Sequence, residues 1–229
     1  MSTRYALYAV PAAGHPLWIA AARWLGRDAE TDIEETPHLP PWLEPQRWRE
    51  ITAEAGRYGF HGTLKPPMAL AQGEAPDELE AMLGRFAATE PVLPPVRLEV
   101  ATIAGFVALL PRPPSPGLSS LAGRCVERFD RFRAPASDAE LARRRAAGLS
   151  SVQETYLERW GYPYVFDQFR YHMTLTSRLS GAERDRIAAW LHDRLAPVLS
   201  DPVPLELALF VEAPGAPFRL RRRFALSAQ

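Results

Sequence analysis

The chain has 229 residues, 47% of them hydrophobic, with 27 basic and 27 acidic side chains. That length suits one large domain or two small lobes around a real core, and zero formal charge excludes a global field drawing the protein onto nucleic acid or an anionic membrane. Any anion site therefore has to be local.

One cysteine, Cys125, excludes an internal disulfide framework, and no Cys and His cluster has metal-ligand spacing. The N-terminal MSTRYALYAVPAAG lacks a basic segment followed by a long apolar one, and no run of about 18 apolar residues occurs. The expectation is a cytoplasmic monomer with no membrane partner, metal or cofactor.

In chain order, RYALYAV (4–10) reads as a strand and HPLWIAAARWLG (15–26) as a helix, with Pro16 near its start and Gly26 near its C-cap. A proline-rich loop and a polar helix near 45–56 precede the extended YGFHGTLKPPMAL (58–70). A helix over 76–89 shows Leu79, Met82, Leu83 and Phe86 on one face, and two paired strands follow. The second half opens with a helix over 117–132 whose apolar stripe includes Cys125, a core residue. One or two helices over 137–163 come next, within a stretch (134–165) able to act as a lid. FRYHMTLTSRL (169–179) then reads as a strand, Ser180 and Glu183 as a capping box, and a helix and a strand pair close the chain.

Each half thus runs helix, His-containing strand, helix, strand, strand. The expected fold is α+β, one bilobal domain over 1–229, with approximate lobes 1–115 and 116–229. Each lobe is an antiparallel sheet with helices, facing a central cleft, and strands can exchange between lobes.

The equivalent strands carry one motif, His61-Gly62-Thr63 and His172-Met173-Thr174. Residues two apart on a strand share a face, so each imidazole lies beside a hydroxyl. Imidazole titrates near neutrality, so one ring can take a proton while the other gives one, without a metal. The Thr63 and Thr174 hydroxyls suit the non-bridging oxygens of a phosphate. A lone histidine in an apolar strand is more often structural, but the duplicated placement favours function.

These motifs resemble the 2H phosphoesterase superfamily, with two His-x-Thr/Ser motifs on two pseudosymmetric lobes. YGFHGTLKPP and WGYPYVFDQFRYHMTLTSRL are more narrowly similar to its branch in bacterial phosphonate-utilisation (C-P lyase) operons. The resemblance implies His61, Thr63, His172 and Thr174 as site residues, and a metal-independent hydrolase opening a cyclic phosphodiester of a ribose or ribonucleotide. Two alternatives stand beside it. One is an RNA 2',3'-cyclic end phosphodiesterase or ligase, which the charge balance disfavours. The other is a non-catalytic binding module for a cyclic nucleotide or phosphate ester.

Strand parity adds Arg57 and Lys65 to the first motif face, and Gln168, Thr176 and Arg178 to the second. Lys65 and Arg178 are candidate phosphate ligands, balanced against solvated strand ends. Tyr58, Tyr162, Tyr164 and Tyr171 flank the motifs, and Tyr164 is the candidate to cover a sugar or base. Arg219, Arg221 and Arg223 read as a solvated strand face, and Arg143 to Arg145 as a solvated charge run.

Overall fold

The computed structural model describes residues 2–146 and 148–228. Residues 1, 147 and 229, of which 147 falls inside the stretch expected as a lid, lie outside the described residues.

The elements run β1 (Arg4–Pro11), α1 (Pro16–Leu25), α2 (Pro45–Tyr58), β2 (Gly62–Met68), α3 (Pro76–Thr89), β3 (Leu98–Ile103) and β4 (Phe106–Pro111) in the first half. The second half contributes α4 (Pro116–Arg128), α5 (Asp138–Arg145), α6 (Ser151–Trp160), β5 (Met173–Thr174), α7 (Gly181–Leu199), β6 (Leu205–Glu212) and β7 (Arg219–Phe224). The fold is α+β. Local chemistry explains the boundaries: Pro16 opens α1 and Gly26 ends it at φ 79°, a left-handed conformation costly for a residue with a Cβ. Ser150 and Gln153 form a capping box at α6. The box expected at Ser180 is absent: its side chain makes no cap bond, and Glu183 instead pairs with Arg47 of α2. No helix among the described residues is long and apolar enough to cross a membrane.

The two facing sheets expected from the duplicated order are one continuous antiparallel sheet, ordered β3-β4-β5-β2-β1-β6-β7. The hairpin β3–β4 of the first half pairs with β5 of the second, and the hairpin β6–β7 of the second pairs with β1 of the first. Helix α4 packs on β2, α7 on β3 and β4, and α3 on β7. A core of Leu7, Leu64, Leu109, Leu121, Met173 and Leu209, each at most 2% exposed, ties these layers together.

The predicted strand over 169–179 shortens to two residues. A 3-10 turn occupies Phe166–Gln168. Beyond Thr174, the Thr176 hydroxyl accepts the Val107 amide at 3.0 Å, so a side chain serves where a backbone carbonyl would continue the ladder.

A β-bulge corrects the reading of Lys65. Thr63 pairs with Tyr8 and Lys65 with Leu7, and the register shifts between them. Adjacent residues of β1 point to opposite faces, so the extra residue in β2 reverses its alternation and takes Lys65 off the face of His61 and Thr63. Lys65 is buried against α4, donating to the Val126 carbonyl at 3.1 Å and the Asp130 carboxylate at 3.2 Å. Desolvation lowers its pKa, and Asp130 opposes that shift. Asp130 is itself desolvated, but hydrogen bonds from Arg133 and the charge of Lys65 hold its carboxyl below the usual range. Removing one partner of such a pair leaves a buried charge without compensation. Asp130→Ala should therefore lower unfolding free energy by about 3 kcal/mol, and Lys65→Met by much less, as read by urea denaturation.

Gly62 is fixed by packing: a Cβ there would lie 2.3 Å from the Tyr171 ring, whose hydroxyl reaches the Ala9 carbonyl at 3.4 Å. Gly62→Ala should cost about 1–3 kcal/mol, and Tyr171→Leu in the same background should recover part of the loss in a denaturation series.

Candidate functional site: a two-histidine cleft

Strands β2 and β5 meet at one residue pair, Gly62 opposite Met173. In antiparallel register this sets His61 opposite Thr174 and Thr63 opposite His172. The four side chains share a face and form a checkerboard in which each imidazole has the other motif's hydroxyl across the strand. All four are half-buried, while Gly62, Leu64, Tyr171, Met173 and Leu175 are buried.

The two imidazoles are held alike. His61 Nδ1 lies 2.8 Å from the Gly59 carbonyl, and His172 Nδ1 lies 2.8 Å from the Arg170 carbonyl, each two residues upstream. A carbonyl only accepts, so Nδ1 carries the proton in both rings and Nε2 faces the cleft. On His61, Nε2 accepts from the Thr63 hydroxyl at 3.2 Å. Burial lowers the pKa of His61 to about 4; the Gly59 carbonyl opposes the shift and the charge of His172 adds to it. His61 is therefore a neutral acceptor at pH 7.

Two adjoining cavities open on this face. One, of about 690 Å³, contains His172 with Arg170 and Gln168; the other, of about 590 Å³, contains His61 with Thr174 and Arg143. Thr63, Phe106, Tyr162, Tyr164 and Arg178 line both, so the two form one cleft with a histidine on each side. Arg143, Arg170 and Arg178 are exposed and make no ion pair among the described residues, while the carboxylates of Glu54 and Asp167 also face the cleft. A local cationic lining thus exists on a chain of zero net charge.

Of the sequence candidates, His61, Thr63, His172, Thr174, Arg178 and Tyr164 line the cleft, and Lys65 does not. Arg178 also lies over the Phe106 ring at 5.0 Å. Tyr164, 41% exposed, meets Tyr162 edge to face at 5.5 Å. Thr176 uses its hydroxyl on the backbone, Arg57 pairs with Glu212, and Tyr171 belongs to the core. The solvated reading of 143–145 is corrected in part: Arg143 and Arg144 line the cavity of His61, with Arg144 over the Tyr162 ring at 4.8 Å. Arg219, Arg221 and Arg223 all pair with carboxylates.

Tyr8 carried no sequence signal beyond its place in an apolar strand. It sits across from Thr63 and stacks on His61, with centroids 3.6 Å apart and planes 20° apart. That contact removes water from one face of the imidazole, which accounts for part of the desolvation.

Because the folded state keeps His61 neutral down to about pH 4 while the unfolded chain protonates near 6.5, the unfolded state binds the extra proton between those values. Stability is then fully present above 6.5 and falls as pH drops toward 4. Wild type should lose roughly 1–2 kcal/mol more than His61→Gln between pH 7.5 and 5, as measured by urea denaturation at both values.

Among curated relatives, ribose 1,5-bisphosphate phosphokinase PhnN of Janthinobacterium sp. (strain Marseille) is 38% identical over 234 residues, covering 99% of this chain and 51% of the relative. The protein of the same name from Laribacter hongkongensis (strain HLHK9) is 37% identical over 231 residues, covering 96% of this chain and 51% of the relative. The chain spans about half the length of the curated relatives it matches. Their name overturns the expectation of a hydrolase acting on a cyclic phosphodiester, because both relatives are named as phosphokinases. A family model described as "Protein of unknown function (DUF1045)" matches residues 63–219, beginning at the threonine of the first motif, and the chain belongs to that family.

Proposed function

We propose that this chain is a phosphoryl-transfer unit acting on a phosphorylated ribose, with the reacting phosphoryl group held between His61 and His172. The observation that carries this reading is the antiparallel checkerboard of two imidazoles and two hydroxyls on one face, with a cavity on either side. A group passing between two oxygens in line needs space for the attacking and the leaving partner, and each cavity supplies one.

Neutral His61 takes the proton from the acceptor hydroxyl through Nε2 as that oxygen bonds to phosphorus, and His172, entering as imidazolium, gives its Nε2 proton to the donor oxygen as its bond to phosphorus breaks. Thr174 donates to one non-bridging oxygen, Thr63 turns its hydroxyl from His61 Nε2 to another, and Arg178, common to both cavities, offers a guanidinium fork to the developing charge. The ribose is taken from the relatives' name, and the link to phosphonate utilisation belongs to the same reading. The paired His-x-Thr strands also support kinship with the two-histidine superfamily at the level of the site.

This chain carries no Gly-x-x-x-x-Gly-Lys-Ser/Thr string, and its single lysine, Lys65, is buried on Asp130. The nucleotide-cradling loop of P-loop kinases is thus not drawn from these residues. Catalysis here rests on imidazole and guanidinium groups.

Phosphorus NMR of the protein with ribose 1,5-bisphosphate, with and without ATP and magnesium, is the test. Conversion of a ribose phosphate resonance should fall at least a hundredfold in His61→Ala and in His172→Ala, the scale usual for loss of a positioned acid or base. Full turnover in both variants would sink the assignment.

A further inference from the structure

The cavity of His61 extends past the imidazole to a polar end that the proton-transfer scheme does not use. Arg4, Tyr58 and Tyr162 line this cavity with Tyr8, and Arg143 and Arg144 close it from α5. Strand alternation puts Arg4 on the face of Tyr8, four residues along β1. The Tyr8 side chain is fully buried, yet its hydroxyl has no hydrogen-bond partner, a state that costs about 1–3 kcal/mol. Its electrostatic neighbours are the phenols of Tyr58 and Tyr162, the Arg4 guanidinium and the Glu212 carboxylate. Burial holds the phenol protonated, so it is a donor at neutral pH.

The charges here are unevenly satisfied. Glu212 is engaged twice, by Arg4 at 2.5 Å and by Arg57 at 2.7 Å, which leaves it no free claim on the phenols. Arg144 pairs with Glu140, whereas Arg143 has no carboxylate partner among the described residues. Glu54 is the other carboxylate on the cavity wall. A buried unpaired donor in a cavity that an unpaired guanidinium also lines leaves room for an acceptor carrying negative charge.

We infer that the Tyr8, Tyr58 and Tyr162 end of the cavity, with Arg4 and Arg143, is a second anion subsite that takes a phosphate other than the reacting one, so that the ligand is a sugar bisphosphate. This rests on the phosphorylated-ribose reading and sharpens it. One phosphate sits between the histidines and the sugar lies along Tyr162 and Tyr164, whose faces suit its C–H surface. The other phosphate accepts from the phenols and from Arg143. Tyr8 then links both ends, its ring on His61 and its hydroxyl on the distal phosphate.

Titration calorimetry with ribose 1,5-bisphosphate and ribose 5-phosphate tests this on wild type, Tyr8→Phe and Arg143→Ala. Wild type should prefer the bisphosphate at least tenfold, and each variant should lose most of that preference while still binding the monophosphate. Equal affinities in wild type, or an unchanged ratio in both variants, overturn the second subsite and leave the histidine site standing. No binding of either ligand to wild type overturns both. Thermal melting supplies an independent control: Tyr8→Phe deletes a hydroxyl without a partner, so its Tm should be equal to or above that of wild type. A fall of several degrees would mean that the hydroxyl has a structural role, and would overturn the inference.

Discussion

The arrangement of the cleft depends on a single backbone pairing. Gly62 and Met173 face each other where β2 meets β5, and that register alone aligns each histidine with the threonine of the other motif. The pairing requires the Tyr171 ring to lie over Gly62, with the residue between His61 and Thr63 lacking a side chain. Packing on the buried face thus sets the chemistry on the open one. The two halves need not enclose the site as separate lobes, because the seam of one sheet already brings the motifs together.

Electrostatics on this chain are arranged by pairing rather than by excess. Arginines on β7 are matched to Asp32, Glu80 and Glu30, so a stripe that looks cationic in sequence is neutralised in place. At the cleft the matching stops, and Arg143, Arg170 and Arg178 face solvent without carboxylates among the described residues. Field lines in a walled cleft are less screened than on an open surface, so a few unmatched guanidinium groups there weigh more than a row outside. The desolvated His61 works in the same setting, since its neutral form can approach an anion as a proton acceptor.

Much of this was legible in the sequence where the signal was local and periodic. The helices from Pro16, Pro45 and Pro76 start at their prolines, and the two His-x-Thr strands declared the face they share. Legibility ended where tertiary structure altered the period. One extra residue in β2 turned Lys65 from the site to the core, an event that strict alternation cannot register. Ser180 and Glu183 have the spacing of a capping box, but the Glu183 carboxylate is turned to Arg47 of α2, a partner 136 positions away that local spacing does not register. The exchange of hairpins between halves left no trace in periodicity, since β3 and β4 have the same pattern whichever strand they join. Tyr8 stayed hidden because its meaning comes from a ring 53 positions away.

The exchanged hairpins carry a consequence for how the molecule can be divided. Because β3–β4 lies against β5, and β6–β7 against β1, each half completes its backbone bonding on the other. A fragment ending near residue 115 would hold β4 with a bare edge, and its complement would present β6 with another, both open to adhesive pairing with foreign strands.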